Sequence, residues 1–212
     1  NMWDSEAVNI FGFNRTTGTD WEVVWNDGGD YVYPASAVQM SLVSASVSDT
    51  MQVLISGLDA DYNKLVETVT LTGTSAVTTT QSFFRINSAI ILSGSNVGDI
   101  TISNNSVLYA FIEAELGTTQ AAIYTVPAGY SLYLFRIDAN SATTNGQKYI
   151  FFRNVVKTNG RTLRVTEATF ATSQVSYDRQ IPFKIPEKSD FHFEAKSSAS
   201  TNEMALFIEA VL

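Results

Sequence analysis

The sequence predicts an all-β protein made of antiparallel sheets, and three observations lead to that prediction. Apolar and polar residues alternate at a period of two along much of the chain. Thr and Ser are frequent in these segments, where a β-branched or hydroxyl side chain suits a half-solvated pleated surface better than a helix. Short segments rich in Gly, Asn, Asp or Pro separate them. We therefore expect an antiparallel β-sandwich of jelly-roll type, in one domain or in two tandem β domains.

Length and composition restrict the partners. With 212 residues the chain can form one large sandwich or two small ones. Its formal net charge of −8 disfavours binding to a phosphate backbone, and no basic cluster interrupts that charge. No apolar run approaches the roughly 20 residues of a membrane-spanning helix. The absence of cysteine excludes disulfides, zinc-thiolate sites and thiol nucleophiles. We expect neither nucleic acid nor a membrane as a partner, and no cofactor.

The first half of the chain contains five segments with the alternation of strands. In the first of them Met40 and Leu42 would face a core, while Ser41 would face solvent. Turn residues separate the segments, as expected for hairpins in series. The five predicted strands are Val38–Leu42, Met51–Ile55, Glu67–Thr72, Phe83–Leu92 and Asp99–Ile102.

The second half carries larger side chains, and several of its predicted strands are apolar on both faces. Such strands are expected where one face fills a core and the other meets a second sheet, a neighbouring domain or another subunit. Prolines at Pro127 and Pro186 mark rigid turns, and the polar segment Asp138–Gly146 is predicted to be an exposed loop tip. The predicted strands are Leu132–Ile137, Lys148–Val156, Thr162–Thr169, Phe191–Ala195 and Met204–Leu212.

A short internal sequence similarity, called here the internal repeat, indicates where a domain boundary lies. The segment Tyr109–Leu116 resembles Ala205–Leu212, about a hundred residues downstream. The similarity fits either a duplicated β domain or chance, because a β-rich chain composed of few residue types often repeats short patterns. With a boundary near Gly117–Ala122, the predicted domains are 21–117 and 122–212. Residues 1–20 alternate little and are predicted to be an extended N-terminal arm. They lack the basic start and apolar stretch of a signal peptide, so classical secretion is not indicated.

Two acidic turns have oxygen-bearing side chains that could bind calcium. The segment Asp59–Asn63 has them at alternate positions, and Asp27–Asp30 is a second short acidic turn. An EF-hand loop would need glycine where Lys64 stands and glutamate where Thr70 stands. We therefore interpret both segments as turns stabilised by Asx hydrogen bonds, and we assign no metal ligand.

No residue pattern predicts catalysis. His192 is the single histidine, and its alternation with Phe191 and Phe193 predicts a solvent-facing side chain. Glu113 and Glu115 would share one strand face, as the two carboxylates of a glycosidase could, but such spacing is more typical of the wet face of a strand. The sequence has no Gly-rich phosphate loop, G-x-S-x-G elbow or H-E-x-x-H motif. We expect a non-enzyme with no catalytic residue.

Aromatic residues near the N-terminus are the candidate contacts. Trp21 and Trp25 would share one face of a strand, as core, as a subunit contact or, third, as a platform for a sugar ring. Aromatic side chains near a chain end commonly anchor it to a neighbouring subunit. The candidate subunit-contact residues are Trp3, Phe11, Phe13, Trp21, Trp25, Tyr31 and Tyr33.

Several hairpin segments resemble virion structural proteins of tailed phages, especially those of marine and cyanobacterial phages. The resemblance covers most of the chain from about Trp21. It is carried by the segments Ile55–Asn63, Glu67–Thr74, Arg85–Asn87, Asn96–Ile100, Val126–Tyr130 and Ile185–Asp190. It implies a non-enzymatic virion component, and it brings no binding residues with it.

The expected function follows from this resemblance together with the composition. We expect a capsid-associated or decoration subunit located in the virion and assembled in many copies, as a homo-oligomer in contact with other virion proteins such as the major capsid protein. The alternative is a receptor- or glycan-binding module of a tail or head fibre. In that case the partner would be a host surface glycan, bound by exposed loops such as Asp138–Gly146 and by aromatic platforms.

Overall fold

The structure is a computed structural model that describes residues 5–142, 150–170, 174–198 and 202–212. These residues form strands in antiparallel sheets, which confirms the predicted all-β sandwich class; the jelly-roll type stays a prediction. None of the described residues belongs to a helix long and apolar enough to cross a membrane. The strands, in chain order, are β1 (Ala7–Thr17), β2 (Glu22–Val23), β3 (Val38–Ser44), β4 (Gln52–Leu58), β5 (Lys64–Thr70), β6 (Val77–Phe83), β7 (Arg85–Ile91), β8 (Ile100–Asn104), β9 (Val107–Ile112), β10 (Ile123–Thr125), β11 (Leu132–Ala142), β12 (Ile150–Thr158), β13 (Arg161–Phe170), β14 (Gln174–Ile185), β15 (Asp190–Ser197) and β16 (Asn202–Val211).

The chain divides into two compact units that are nested, whereas the sequence predicted tandem domains. Unit 1 contains the chain up to Asp30 together with Ala121–Leu212, and unit 2 is the intervening segment Tyr31–Gln120. Unit 2 is therefore an insertion within the sequence of unit 1. Its C-terminal boundary falls inside the predicted segment Gly117–Ala122, but its N-terminal boundary lies ten residues beyond the predicted start at 21.

Unit 1 is a sandwich of two sheets around one core. The first sheet has the order β1-β16-β11-β14, and the second has the order β10-β15-β12-β13, with β2 paired to β15. Alternate residues of the strands point into the core, as the two-residue period requires. From the first sheet the core receives Ile10, Leu206 and Ile208, and from the second it receives Phe191 and Phe193.

The interpretation of residues 1–20 as an extended arm is wrong for the part that the structure describes. Residues Ala7–Thr17 form β1, which pairs antiparallel with the last strand, β16, from Ala7 opposite Val211 to Asn14 opposite Met204. Val8 and Ile10 alternate inward and are buried in the core of unit 1. The N-terminal segment is therefore an edge strand of the unit's own sheet.

At Gly12, β1 passes close to two segments of unit 1 that precede and follow the insertion in the sequence. The backbone N–H of Ala122 donates to the carbonyl of Val24 at 2.8 Å, and Val24 and Ala122 are each hydrogen-bonded to Phe193 at 2.9 Å. A Cβ added at Gly12 would lie 2.5 Å from the Cβ of Ala122 and 2.7 Å from the carbonyl oxygen of Val24. Only glycine leaves room for this crossing.

Unit 2 is a second sandwich with its own core. Its sheets have the orders β6-β3-β8-β9 and β5-β4-β7. Each strand predicted in the first half of the sequence overlaps a strand here, and alternate residues such as Met40, Leu42 and Ile55 are fully buried together. The predicted strand Phe83–Leu92 is in fact two elements, because Phe83 ends β6, which was not predicted, and β7 begins at Arg85. The two segments of the internal repeat have different positions in their sheets. The strand β9 is an edge strand of unit 2, whereas β16 lies between two other strands in a sheet of unit 1.

A buried carboxylate organises the loops of unit 2. The Asp49 side chain is 0% exposed. It accepts hydrogen bonds from the hydroxyl of Ser44 at 2.6 Å and from the backbone N–H groups of Val97 and Gly98 at 2.9 and 3.0 Å. Burial raises the pKa of Asp49, but these hydrogen bonds outweigh burial, so the pKa lies below its usual range. The charged carboxylate therefore holds two loops together.

We expect Asp49→Asn to lower the free energy of unfolding by about 2–3 kcal/mol, because the amide cannot accept from all three donors. Since the folded-state pKa is lowered, the stabilisation is present above the ordinary Asp pKa of about 3.9 and is lost as the pH falls through the folded-state value. Urea unfolding at several pH values, followed by far-UV circular dichroism, measures both effects. Asp61→Asn, at an exposed position, is the matched control, and an equal loss in both variants would contradict the role of Asp49.

We expect Gly12→Ala to destabilise unit 1 by about 1–3 kcal/mol, because the new methyl group overlaps Ala122 and Val24. Trp21 and Trp25 belong to unit 1 and the segment of unit 2 contains no tryptophan, so tryptophan fluorescence during urea unfolding reports on unit 1. Asn9→Ala, an exposed position of the same strand, should leave the unfolding midpoint nearly unchanged. A Gly12→Ala midpoint equal to that of the Asn9→Ala protein would show that the crossing tolerates a side chain.

Candidate functional site

The residues predicted as subunit contacts are distributed over both units. Phe11 and Phe13 lie on β1, Trp21 and Trp25 flank β2, and these four belong to unit 1. Tyr31 and Tyr33 belong to unit 2. Trp3 lies outside the described residues.

Phe11 and Phe13 lie on the outer face of the first sheet of unit 1. The alternation that buries Val8 and Ile10 turns Phe11 outward, where it is 41% exposed, and leaves Phe13 half-buried. The register places Phe11 opposite Phe207 of β16. We call Phe11, Phe13 and Phe207 the phenylalanine face; it is an aromatic surface on a sheet whose other side is already filled by the core.

Phe207 was not among the predicted contact residues, although the sequence contained a signal for it. In β16 the buried residues Leu206 and Ile208 flank Phe207, so the strand carries large apolar groups on both faces. Only the pairing of β16 with β1 shows that Phe207 and Phe11 are neighbours.

Charged groups lie beside the phenylalanine face on the same sheet. The Nε of Arg136 lies 2.9 Å from Oδ2 of Asp138 and 3.5 Å from Oδ1 of Asp178 on the neighbouring strand. The hydrogen bond and the charge of Asp138, together with the charge of Asp178, raise the pKa of Arg136. Arg15 lies 5.0 Å from the ring centroid of Phe13. An aromatic patch flanked by charges is the pattern of a protein contact surface.

Trp21 lies in a cationic cluster. The guanidinium carbon of Arg153 is 4.0 Å from the Trp21 ring centroid, and the Lys196 ammonium is 4.8 Å from it. Both cations are attracted to the electron-rich ring, and this attraction holds the Trp21 side chain in place just before β2. Arg153 and Lys196 therefore already contact Trp21, which was predicted to contact a neighbouring subunit.

The prediction that His192 faces solvent is wrong. The residue is 3% exposed, and its Nε2 lies 3.2 Å from Oε1 of Glu194. Arg153 donates from Nε to the other oxygen of Glu194. Burial raises the pKa of Glu194, but hydrogen bonds from His192 and Arg153 outweigh it, so the pKa lies below its usual range. The alternation correctly placed His192 on the opposite face of β15 from Phe191 and Phe193. That face is also buried, so the side chain does not reach solvent.

Trp25 and Tyr31 are buried, and we correct their assignment as subunit contacts. Trp25 is 3% exposed, and its Nε1 donates to the carbonyl of Gly28 at 2.7 Å. The Tyr31 hydroxyl donates to the carbonyl of Tyr109 at 3.0 Å within unit 2. Tyr33 is half-buried, and Arg85 lies 5.0 Å from its ring centroid. These side chains stabilise their own units.

The acidic turns have structural hydrogen bonds. Oδ1 of Asp59 accepts from the backbone N–H groups of Asp61 and Asn63, both at 2.9 Å, which is the Asx turn that the sequence predicted. In the turn Asp27–Asp30, the Gly29 N–H donates to Oε2 of Glu22 at 3.1 Å. No group of three or more acidic or histidine side chains that could hold a metal ion occurs in the described part of the chain.

The expected strand face with two glutamates is not present. β9 ends at Ile112, and Glu113 and Glu115 lie in the turn that follows it, where Glu115 has a φ of +68°. A residue with positive φ does not continue the strand alternation, so the two carboxylates do not share a face. Of the predicted loop Asp138–Gly146, the part up to Ala142 belongs to β11, and the rest lies outside the described residues.

Comparisons with known proteins give no family. No protein-family model matches the chain, and no curated protein matches it. Among solved structures, the VP2 subviral particle of infectious bursal disease virus aligns at 10% identity with a TM-score of 0.23, over 97% of this chain and 75% of that chain. T=1 particles derived from the same virus align at 8% identity with a TM-score of 0.12, over 98% and 73%. Likeness at these TM-scores assigns neither fold nor function to this chain.

We expect Glu194→Gln to destabilise unit 1 by about 1–3 kcal/mol, because it leaves the half-buried Arg153 without its anionic partner. Since the pKa of Glu194 is lowered by folding, the stabilisation is present above the ordinary Glu pKa and is lost as the pH falls through the folded-state value. Tryptophan fluorescence measures this, because Arg153 stacks on Trp21. Glu203→Gln, which removes an exposed ion pair with Arg15, should change stability by no more than about 0.5 kcal/mol. Equal effects would refute the prediction.

Proposed function

We propose that this chain is a non-enzymatic structural protein of a bacteriophage virion, present in many copies as a capsid-associated or decoration subunit. The main observation in support of the proposal is the phenylalanine face of unit 1, where Phe11 is exposed beside Phe13 and Phe207. Large aromatic side chains at a protein surface are enriched where proteins bind one another. The resemblance of the hairpin segments to virion proteins of tailed phages supports the same class of function.

The architecture supports a contact role for this face. The phenylalanine face lies on a sheet whose inner side is held by the core of unit 1, so its side chains are positioned on strands and not on loops. A rigid aromatic surface loses little conformational entropy when it is covered by a partner. The partners that we propose are further copies of this chain and other virion proteins, such as the major capsid protein.

The glycan-binding alternative has less support. Trp21, one of the residues that could form a sugar platform, is in contact with Arg153 and Lys196. Trp25 is buried and cannot stack on a ligand. We therefore rank a receptor- or glycan-binding module of a fibre below the structural role.

We expect Phe207→Gln to reduce binding of the purified protein to particles assembled without it by about tenfold, because the substitution removes a central aromatic contact of the face. The measurement is occupancy in electron micrographs and in quantitative gels of particles incubated with the protein. Leu163→Gln is the matched control, since Leu163 is exposed on β13 of the other sheet.

Two results would reject the proposal. The first is absence of the wild-type chain from purified particles of the virus that encodes it. The second is specific binding of a sugar on glycan arrays that Phe207→Gln leaves unchanged, together with no binding to particles. Loss of particle binding equal in the Phe207→Gln and Leu163→Gln proteins would reject the phenylalanine face as the contact.

A further inference from the structure

Among the residues that the structure describes, β1 pairs with a strand on one side only, and its other side exposes a row of backbone hydrogen-bonding groups. Glu6 and Leu212 exchange two backbone hydrogen bonds, of 3.4 and 2.9 Å, which fixes the hydrogen-bonded positions of the β1–β16 ladder. Because these positions alternate in an antiparallel pair, even-numbered residues of β1 bond to β16. The N–H and C=O groups of Ala7, Asn9, Phe11 and Phe13 therefore point away from the sheet.

β1 differs from the other long edge strands of unit 1 in what protects it. β14 carries Pro182 and a register break opposite Phe135, both of which discourage edge pairing. β13 carries Arg161, Arg164 and Glu167, and charges also protect an edge. The segment from Ala7 to Asn14 has no charge, no proline and an unbroken register. Among the described strands of this unit, β1 is the long edge that is suited to accept another strand.

The geometry of a two-fold axis selects the direction of pairing. An antiparallel second copy, related by a two-fold axis perpendicular to the sheet, keeps the core-facing residues of both strands, such as Val8 and Ile10, on one side of the joined sheet and the phenylalanines on the other. A parallel copy, related by an axis along the strand, would place the core-facing side of one strand beside the outer side of its neighbour. Only the antiparallel copy therefore continues both faces of the sheet.

We propose that two copies of this chain associate through antiparallel pairing of their β1 edges, about a two-fold axis near Ile10. In this register Asn9 pairs with Phe11 of the second copy, and Ala7 pairs with Phe13 of the second copy. All four outward-pointing residues of each strand then have backbone partners. The two four-stranded sheets become one continuous sheet, and the two phenylalanine faces lie side by side on it.

This pairing rests on the proposed function, since it names a second copy as one partner of a multi-copy subunit. It also explains how an exposed and uncharged edge is kept from uncontrolled association. A two-fold interface is closed, because the backbone N–H and C=O groups of each β1 strand are hydrogen-bonded to the other. No unpaired edge is then left at that site for a third copy. The chain can thus dimerise through β1 while the phenylalanine faces remain open to other virion proteins.

The test is the self-association of the full chain, measured by sedimentation over a range of concentrations. We expect the wild type to form a dimer, and we expect Phe11→Lys to weaken the dimer about tenfold or more, because it places two ammonium groups near the two-fold axis. Asn9→Pro should weaken it similarly, since it removes a donor that points away from β16. Ile181→Lys is the matched control: it adds the same charge at an 84% exposed position of β14 and should leave the dimer intact.

Cross-linking tests the register. The chain contains no cysteine, so a disulfide can form only between introduced residues. A mixture of Asn9→Cys and Phe11→Cys chains should yield mainly the mixed disulfide, because these positions lie opposite each other in the proposed pair. Far-UV circular dichroism of each variant checks that the fold is retained.

The outcomes separate this inference from the proposed function. A wild-type chain that stays monomeric at high concentration, or a dimer that survives both Phe11→Lys and Asn9→Pro, overturns the β1 pairing. A dimer without the mixed disulfide overturns the register. If the pairing fails while the protein still binds particles, only this inference is lost. If the dimer forms but the chain is absent from particles, only the proposed function is lost.

Discussion

The close approach of β1 to Val24 and Ala122, at Gly12, is the contact on which the closure of unit 1 depends. At this point Val24 leads out of unit 1 and Ala122 leads back into it, and both are hydrogen-bonded to Phe193. The absence of a side chain at Gly12 lets the three segments approach one another. Glycine at this position thus lets unit 1 form a single sandwich from two parts of the chain that unit 2 separates in the sequence.

The closure of unit 1 depends equally on its first and last strands. β1 and β16 are adjacent, so the core residues Ile10, Leu206 and Ile208 become buried only when the two ends of the chain meet. Contacts between residues so distant in sequence carry a large loop-closure cost before burial of apolar surface offsets it. Unit 2, by contrast, closes at shorter sequence separations, since its most distant strand pair joins β3 to β8 with Leu42 opposite Ile102, and it has its own core. Each sandwich therefore has its own source of stability.

Buried polar groups set the geometry of both units. In unit 2 the carboxylate of Asp49 accepts three hydrogen bonds, and in unit 1 Glu194 accepts from Arg153 and lies within hydrogen-bonding distance of His192. Such groups stabilise a fold only when their partners are in place, so they also define which loops and strands must meet. The phenylalanine face is the opposite case, because Phe11 is apolar and only partly covered.

The sequence alone determined the all-β class, most strands and the two-sided apolar strands, because the period of two and the turn residues are local properties. It correctly predicted that Asp59 stabilises an Asx turn, and it drew attention to Phe11 and Phe13. Only the tertiary structure decided that β1 belongs to the sheet of β16, that unit 2 is an insertion, and that Trp25 and His192 are buried. The physical reason is that alternation tells which side chains share a face of a strand, but not which distant strand pairs with it or what covers that face.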